Sequence, residues 1–437
     1  MMGRKVRAAC HRIWDILTGL SRGRRVAAAL VFLGLGGMFI LYPETREPIY
    51  RMADLELLHP SRGIVAWPLV ERLGPPESLV LDAYFGNEVD VSGDDMVVGA
   101  IGKDAAYIYH LGGDGWTLAA RLSPEDMQSG DRFGSGVAIS GDEAIIGAQN
   151  AEDGSGAAYV FLRDAEGRWQ QEAKLKPSDE SNGALFGWSG GVAISGNDAI
   201  VCSNTGVFFF RRSGRKFEEI QRVIGEFRRG DETVFHGFRG VAMDAGRAVI
   251  GDGIANDHGR ASGAAHIYVR GEDGVWRSEA RLLAPDGAAG DVFGDRVAIS
   301  GDLVLVGAKN HDEKGEDSGA AYLFRRKADG SGWGFEKKLV PKKARAGDGY
   351  GGSVALTGNV ALVGGYRFCD DPARACSMAP AVIFENVGKG WGERAVLSVS
   401  ETVPGFATSV ALRGSTAIIG ARQAPPNNAG AVFIYQD

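Results

Sequence analysis

One stretch, Phe133-Gly134-Ser135-Gly136-Val137-Ala138-Ile139-Ser140-Gly141-Asp142-Glu143-Ala144-Ile145-Ile146-Gly147-Ala148, recurs seven times and leaves few folds open to the chain. Its valine falls at Val89, Val137, Val192, Val241, Val297, Val354 and Val410, at intervals of 48, 55, 49, 56, 57 and 56 residues. A glycine follows four residues later in every copy but the fourth, which has Ala245-Gly246. A second follows ten residues after the valine in every copy but the third, which has Cys202. Self-similarity at a period of roughly 40–60 residues marks a propeller or another repeat array.

Each copy reads as four strands. Val-Ala-Ile-Ser and Ala-Ile-Ile-Gly are β-rich runs joined by pairs such as Gly141-Asp142, and glycine supplies the positive φ that a two-residue hairpin requires. A third run follows, as in Tyr107-Ile108-Tyr109 and Tyr159-Val160-Phe161. A fourth opens on an aromatic residue and reaches an aliphatic one six residues on: Trp116 to Leu122, Trp169 to Leu175, Phe217 to Val223, Trp276 to Leu282, Trp333 to Leu339 and Trp391 to Leu397. The expectation is an all-β fold, a seven-bladed β-propeller of four-stranded blades. The seventh copy has no fourth run after Val432-Phe433-Ile434, but Trp67 to Leu73, ahead of the first copy, has the same spacing. That segment is expected to complete the last blade and remove two open sheet edges.

The motifs resemble the FG-GAP repeat, known from the propeller head of integrin α-chains. Phe-Gly stands before the first strand at 85–86, 133–134, 186–187 and 293–294, and Gly-Ala ends the second at 99–100, 147–148, 307–308 and 420–421. Departures are Phe235-His236, Tyr350-Gly351 and Phe406-Ala407, with Cys202-Ser203, Gly251-Asp252 and Gly364-Gly365 at the second motif. The resemblance covers about residues 67–437 and speaks for the fold; one fold hosts many functions.

The formal charge of −7 hides an asymmetry. Residues 1–25 carry seven basic side chains against Asp15, a head of +6, and 26–42 carry no charge, which leaves −13 for the rest. Such an acidic remainder argues against a nucleic-acid surface. Val26–Tyr42 is an uncharged run of seventeen residues, a helix of about 26 Å at 1.5 Å per residue, at the short end of a membrane span. No small-residue cleavage site follows it, so an uncleaved signal-anchor is expected, with a cleaved signal peptide and a buried helix as alternatives. The basic flank places the N-terminus in the cytoplasm and the propeller outside, periplasmic or extracellular. The layout is then a basic head (1–25), an anchor (26–42), a mixed tether (43–66) and the propeller (67–437).

Cys369 and Cys376 bracket Asp370-Asp371-Pro372-Ala373-Arg374-Ala375 and suit a local disulfide in an oxidising compartment, or else are two unrelated thiols. Cys202, in a strand position, reads as a small buried hydrophobe. The seven histidines are scattered and no HExxH, GxSxG or P-loop spacing occurs. Integrin-type propellers bind Ca²⁺ in the loop between second and third strands through a D-x-D-x-D-G pattern. The resemblance therefore points to Asn310, Asp312 and Asp317 in the fifth unit, and more weakly to Asn150 and Asp153 in the second; Lys314 stands where a third acidic ligand belongs. The functional expectation is a membrane-anchored module that binds a protein or glycan. A propeller enzyme with a dispersed site at the central channel, and an envelope assembly scaffold, are the alternatives.

Overall fold

The computed structural model describes residues 67–76, 81–178, 185–204, 206–214, 216–224, 226–229, 232–235, 238–365 and 379–437, together with 26–29 and 40–43. In the N-terminal unit, Met1–His59, Val26–Ala29 pairs antiparallel with Ile40–Pro43; the rest of the expected anchor lies outside the described residues. No helix among the described residues is long and apolar enough to cross a membrane.

The second unit, Pro60–Asp437, is a seven-bladed propeller. Blade 1 runs Phe85–Ser92, Asp95–Ala100, Ala105–Gly112 and Gly115–Leu122, each strand antiparallel to the last. Blades 2 to 6 repeat that order, and the first strands stand side by side around the ring axis. A short hairpin, Glu226–Arg229 with Glu232–Phe235, is inserted between blades 3 and 4. Blade 7 takes three strands from Phe406–Gln436 and its outer strand from Leu69–Leu73. The closing pairs are Leu69 with Tyr435, Glu71 with Ile434, Arg72 with Phe433 and Leu73 with Val432, and Trp67 is buried in the same core cluster. In all seven blades the pairing of third and outer strands carries a register shift, which twists the outer edge away from flat pairing with another chain.

The motif residues hold the seams between blades. The Phe-Gly aromatic packs on two aromatics of its own blade's third strand, as Phe133 does on Tyr159 and Phe161 at 5.7 and 6.0 Å between ring centroids. The second-strand glycine lets the next blade's backbone approach. A Cβ on Gly147 would lie 1.8 Å from the Gly187 carbonyl oxygen, and Gly99, Gly251, Gly307, Gly364 and Gly420 meet the next blade's backbone in the same way. The seam between blades 3 and 4 is different. Cys202 replaces the glycine, and the anchoring aromatic is Phe238, three residues before Val241 and buried with Cys202, Phe209 and Trp276. Phe235, the aromatic suggested by sequence, lies instead in the inserted hairpin.

Inside the ring each first strand has one free edge. Side chains of the preceding blade cap several of its N–H groups: Val89 N–H donates to Ser409 Oγ (2.9 Å), Gly141 N–H to Ser92 Oγ (3.0 Å) and Gly358 N–H to Ser300 Oγ (3.1 Å). Satisfying a backbone donor that the sheet leaves over is the physical reason for a serine at these two repeat positions, three residues after the anchoring valine (Ser92, Ser300) and one before it (Ser409).

Candidate functional site

The seven first strands enclose a channel of about 400 Å³. In these strands the anchoring valine and the residue after it line the channel in every blade, while the residue before the valine is partly exposed only as Glu88 and Arg296. The residue after is Ala138, Ala193, Ala242, Ala298, Ala355 or Ala411 in six blades and Asp90 in blade 1. The residue before is Gly136, Gly191, Gly240, Ser353 or Ser409 in five blades, but Glu88 in blade 1 and Arg296 in blade 5. Blade 3 departs again: two residues are added between its Phe186-Gly187 and Val192, which gives Trp188 and Ser189.

These departures meet at one mouth of the channel. Arg296 Nη2 donates to Glu88 Oε1 (3.1 Å) and Ser189 Oγ (2.8 Å), while its Nη1 donates to the carbonyl oxygens of Ser189 (2.9 Å) and Arg239 (3.4 Å). Ser409 Oγ donates to Glu88 Oε2 (3.3 Å), and Ser189 Oγ also contacts Glu88. One guanidinium and one carboxylate, 208 residues apart in sequence, thus brace blades 1, 3, 4, 5 and 7. Around the brace opens a vestibule of about 220 Å³, lined also by Asp295, Lys309, Thr408 and Arg422. Lys309 Nζ lies 3.0 Å from Asp295, and Arg239 lies 3.8 Å from it with its guanidinium 5.2 Å from the Trp188 ring.

Deeper in the wall, Asp90 accepts the N–H of Ile139 from blade 2 and of its neighbour Val91, each at 2.9 Å. Burial pushes its carboxyl up to about 6, against the lowering effect of those two bonds.

The loops expected to hold calcium are organised differently. Asp312 Oδ1 accepts the N–H of Asp317 (2.8 Å), which shapes a turn, and Asn310 N–H donates to the Asp291 carbonyl (3.3 Å). Asn150 Nδ2 donates to the Gly130 carbonyl (3.2 Å), and Asp153 is exposed with φ 56°. The groups that converge in blade 5 are Asp286, His311 and Glu313, whose ligand atoms lie within 4.8 Å of one another. Lys338, from the same blade's outer strand, enters this cluster: its Nζ is 2.6 Å from Asp286, 3.4 Å from His311 Nε2 and in contact with Glu313. Burial opposes the ammonium's charge, but Asp286 and Glu313 outweigh it and raise its pKa. Blade 2 repeats the device with Lys174 between Asp126 (2.5 Å) and Glu152, over the Tyr159 ring. Blade 4 sets Arg281 against Asp257 at 2.5 Å. A chain-borne cation therefore stands among the acidic groups of these loops. Cys369 and Cys376 lie outside the described residues; Cys202 is a free, buried thiol whose pKa burial raises.

A sequence profile of the FG-GAP repeat matches residues 116–161, 169–207, 276–324 and 333–376. The chain carries FG-GAP repeats, matched four times. Each match starts on the outer strand of one blade and runs into the next, so the repeat straddles the seam that the Phe-Gly and Gly-Ala motifs hold. The FG-GAP propeller seen here is consistent with the integrin α-chain type. No curated protein matches the sequence at a significant level.

Sequence reasoning passed over the mouth of this FG-GAP propeller. Its signal was the break in the repeat: charges at 88 and 296 where other copies have glycine or serine, and the two added residues at 188–189.

Proposed function

We propose that this FG-GAP propeller is a binding module, anchored to a membrane through Val26–Tyr42 and facing outward, which engages a protein partner at the braced mouth of its channel. The observation that carries the reading is where the repeat is broken. A sevenfold scaffold needs the same residues at every seam, yet Glu88, Trp188, Ser189 and Arg296 depart from it and collect at one mouth. Charged and aromatic residues gathered around a concavity on a rigid frame are the usual makings of a recognition site. FG-GAP propellers commonly serve as interaction modules.

Site-specific photo-crosslinking tests the assignment. A benzoylphenylalanine at Gln423, beside Arg422 at the mouth, should trap a discrete partner on intact cells. The same probe at Leu118, exposed on the outer strand of blade 1, should not. Equal yields from the two positions would refute the mouth as the binding face. Protease added outside intact cells should digest the propeller; protection until lysis would reverse the topology.

A further inference from the structure

We propose that Asp286, His311 and Glu313 form a zinc site, with Asp291 holding the imidazole from behind and Lys338 standing where the metal enters. Their ligand atoms lie within 4.8 Å of one another. Asp286 comes from the loop ahead of the first strand of blade 5, the other two from the loop between its second and third strands.

The repeat shows that the scaffold does not need His311. Four residues after the second-strand glycine, blades 2, 4, 5 and 7 share one backbone arrangement. The residue there donates its N–H to the carbonyl three residues back, and its own carbonyl accepts the N–H of the glycine ahead of the third strand. Blades 2, 4 and 7 fill the position with a buried alanine, Ala151, Ala255 and Ala424, and blade 5 puts an imidazole in its place. His311 is only 8% exposed and packs against the Tyr322 ring at 6.0 Å between centroids. Its Nδ1 lies 3.1 Å from Asp291 Oδ2, which also accepts the Ala288 N–H (2.9 Å). A carboxylate only accepts, so the proton sits on Nδ1 and leaves the Nε2 lone pair for the cluster. A carboxylate behind a histidine is the pairing that orients a metal-binding imidazole.

Nε2 lies 3.4 Å from Lys338 Nζ and 3.8 Å from Asp286 Oδ2, while Asp286 Oδ1 is held by the Tyr322 hydroxyl at 3.0 Å. One imidazole nitrogen and two carboxylates suit Zn²⁺, with water as the fourth ligand, whereas Ca²⁺ asks for six to eight oxygens. Lys338 neutralises one of the two carboxylates; a dication neutralises both, and the flexible lysine stem lets the ammonium turn out to water. Blade 2 is a built-in control, with Lys174 between Asp126 and Glu152 but Ala151 in place of the imidazole.

The test is calorimetric titration of zinc chloride into the chelator-stripped full-length chain in detergent micelles. A saturable site is expected that excess Ca²⁺ does not displace. His311→Ala, which installs the residue of blades 2, 4 and 7, should abolish it. Asp291→Asn should weaken it roughly 10–100-fold, and Lys338→Met should tighten it. His110→Ala, an exposed histidine of blade 1, should leave it unchanged, with thermal melts confirming that each variant folds. Unchanged zinc binding in His311→Ala, or displacement by calcium on equal terms, would overturn the site. So would zinc binding by Lys338→Met alone, because the lysine would then be the permanent cation of this loop.

Discussion

The seams and the channel mouth are built from the same seven first strands, and they treat the repeat in opposite ways. At six seams a second-strand glycine meets the next blade's backbone, and the exception, Cys202 with Phe238, refills the same space with a small thiol and a shifted ring. At the mouth, equivalent positions hold glycine, serine, glutamate and arginine. Every seam must close one-seventh of the same circle, so packing dictates its residues. The mouth borders an open channel, and blades 1 and 5 place Glu88 and Arg296 there where the others hold glycine or serine. Departures from the repeat at the seams are therefore repairs, and departures at the mouth build the brace between Glu88 and Arg296.

The largest expected effect breaks a seam. Gly147→Val places a side chain against the Gly187 carbonyl and should destabilise the propeller by more than about 4 kcal/mol, measured by denaturant unfolding. Wild-type stability there would mean that the seams yield. Removing Trp67–Leu73 leaves the third strand of blade 7 unpaired over Val432 and Phe433, and light scattering should show aggregation. A monomeric deletion with an unchanged melting temperature would remove the ring-closure argument.

Next comes the loop cation. Lys338→Met leaves Asp286 and Glu313 facing each other at a partly exposed site, a loss of about 1 kcal/mol. Wild-type melts in millimolar Ca²⁺ and in chelator should coincide, and the variant should gain a calcium response. A wild-type calcium response would show that the ion enters beside the lysine.

The pH profile sharpens the contrast from the channel's side. Asp90 has a carboxyl raised from 3.8 to about 6 in the fold, so the native state binds a proton more tightly than the unfolded chain between those values. Its contribution to stability is then greatest at low pH, falls as pH rises through about 4–6 and is level above that, a change of about 1–3 kcal/mol. Asp90→Asn should flatten that part of the pH profile; an identical slope in both proteins would assign it elsewhere.

Much of the frame was legible because it repeats. Seven valines, paired glycines and the spacing of Trp67 to Leu73 each state a local rule, and closure follows from matching a strand to a vacancy. Blade 4 misled because the inserted hairpin ends in Phe235, which resembles the motif aromatic, while Phe238 does its work one residue nearer the valine. The loop cations were legible as well: Arg72, Arg121, Lys174, Arg222, Arg281 and Lys338 each stand five residues after the outer-strand aromatic, with Val396 the exception. Attention to Lys314 hid them, because the cation that reaches the acids comes from a different strand. The brace was not legible. Nothing local links Glu88 to Arg296 until the ring brings blades 1 and 5 to the same mouth.

The borrowed outer strand also sets a clock. Leu73 leaves the ribosome 359 residues before its partner Val432, an interval of roughly 20–70 s at about 5–20 residues per second. Through that time the strand Leu69–Leu73 and the buried face of Trp67 have no native partner, so the nascent protein emerges with an adhesive end. A holdase that binds short aromatic–aliphatic segments would find its target there, and slowing translation late in the message would lengthen the exposure without altering one residue of the finished ring.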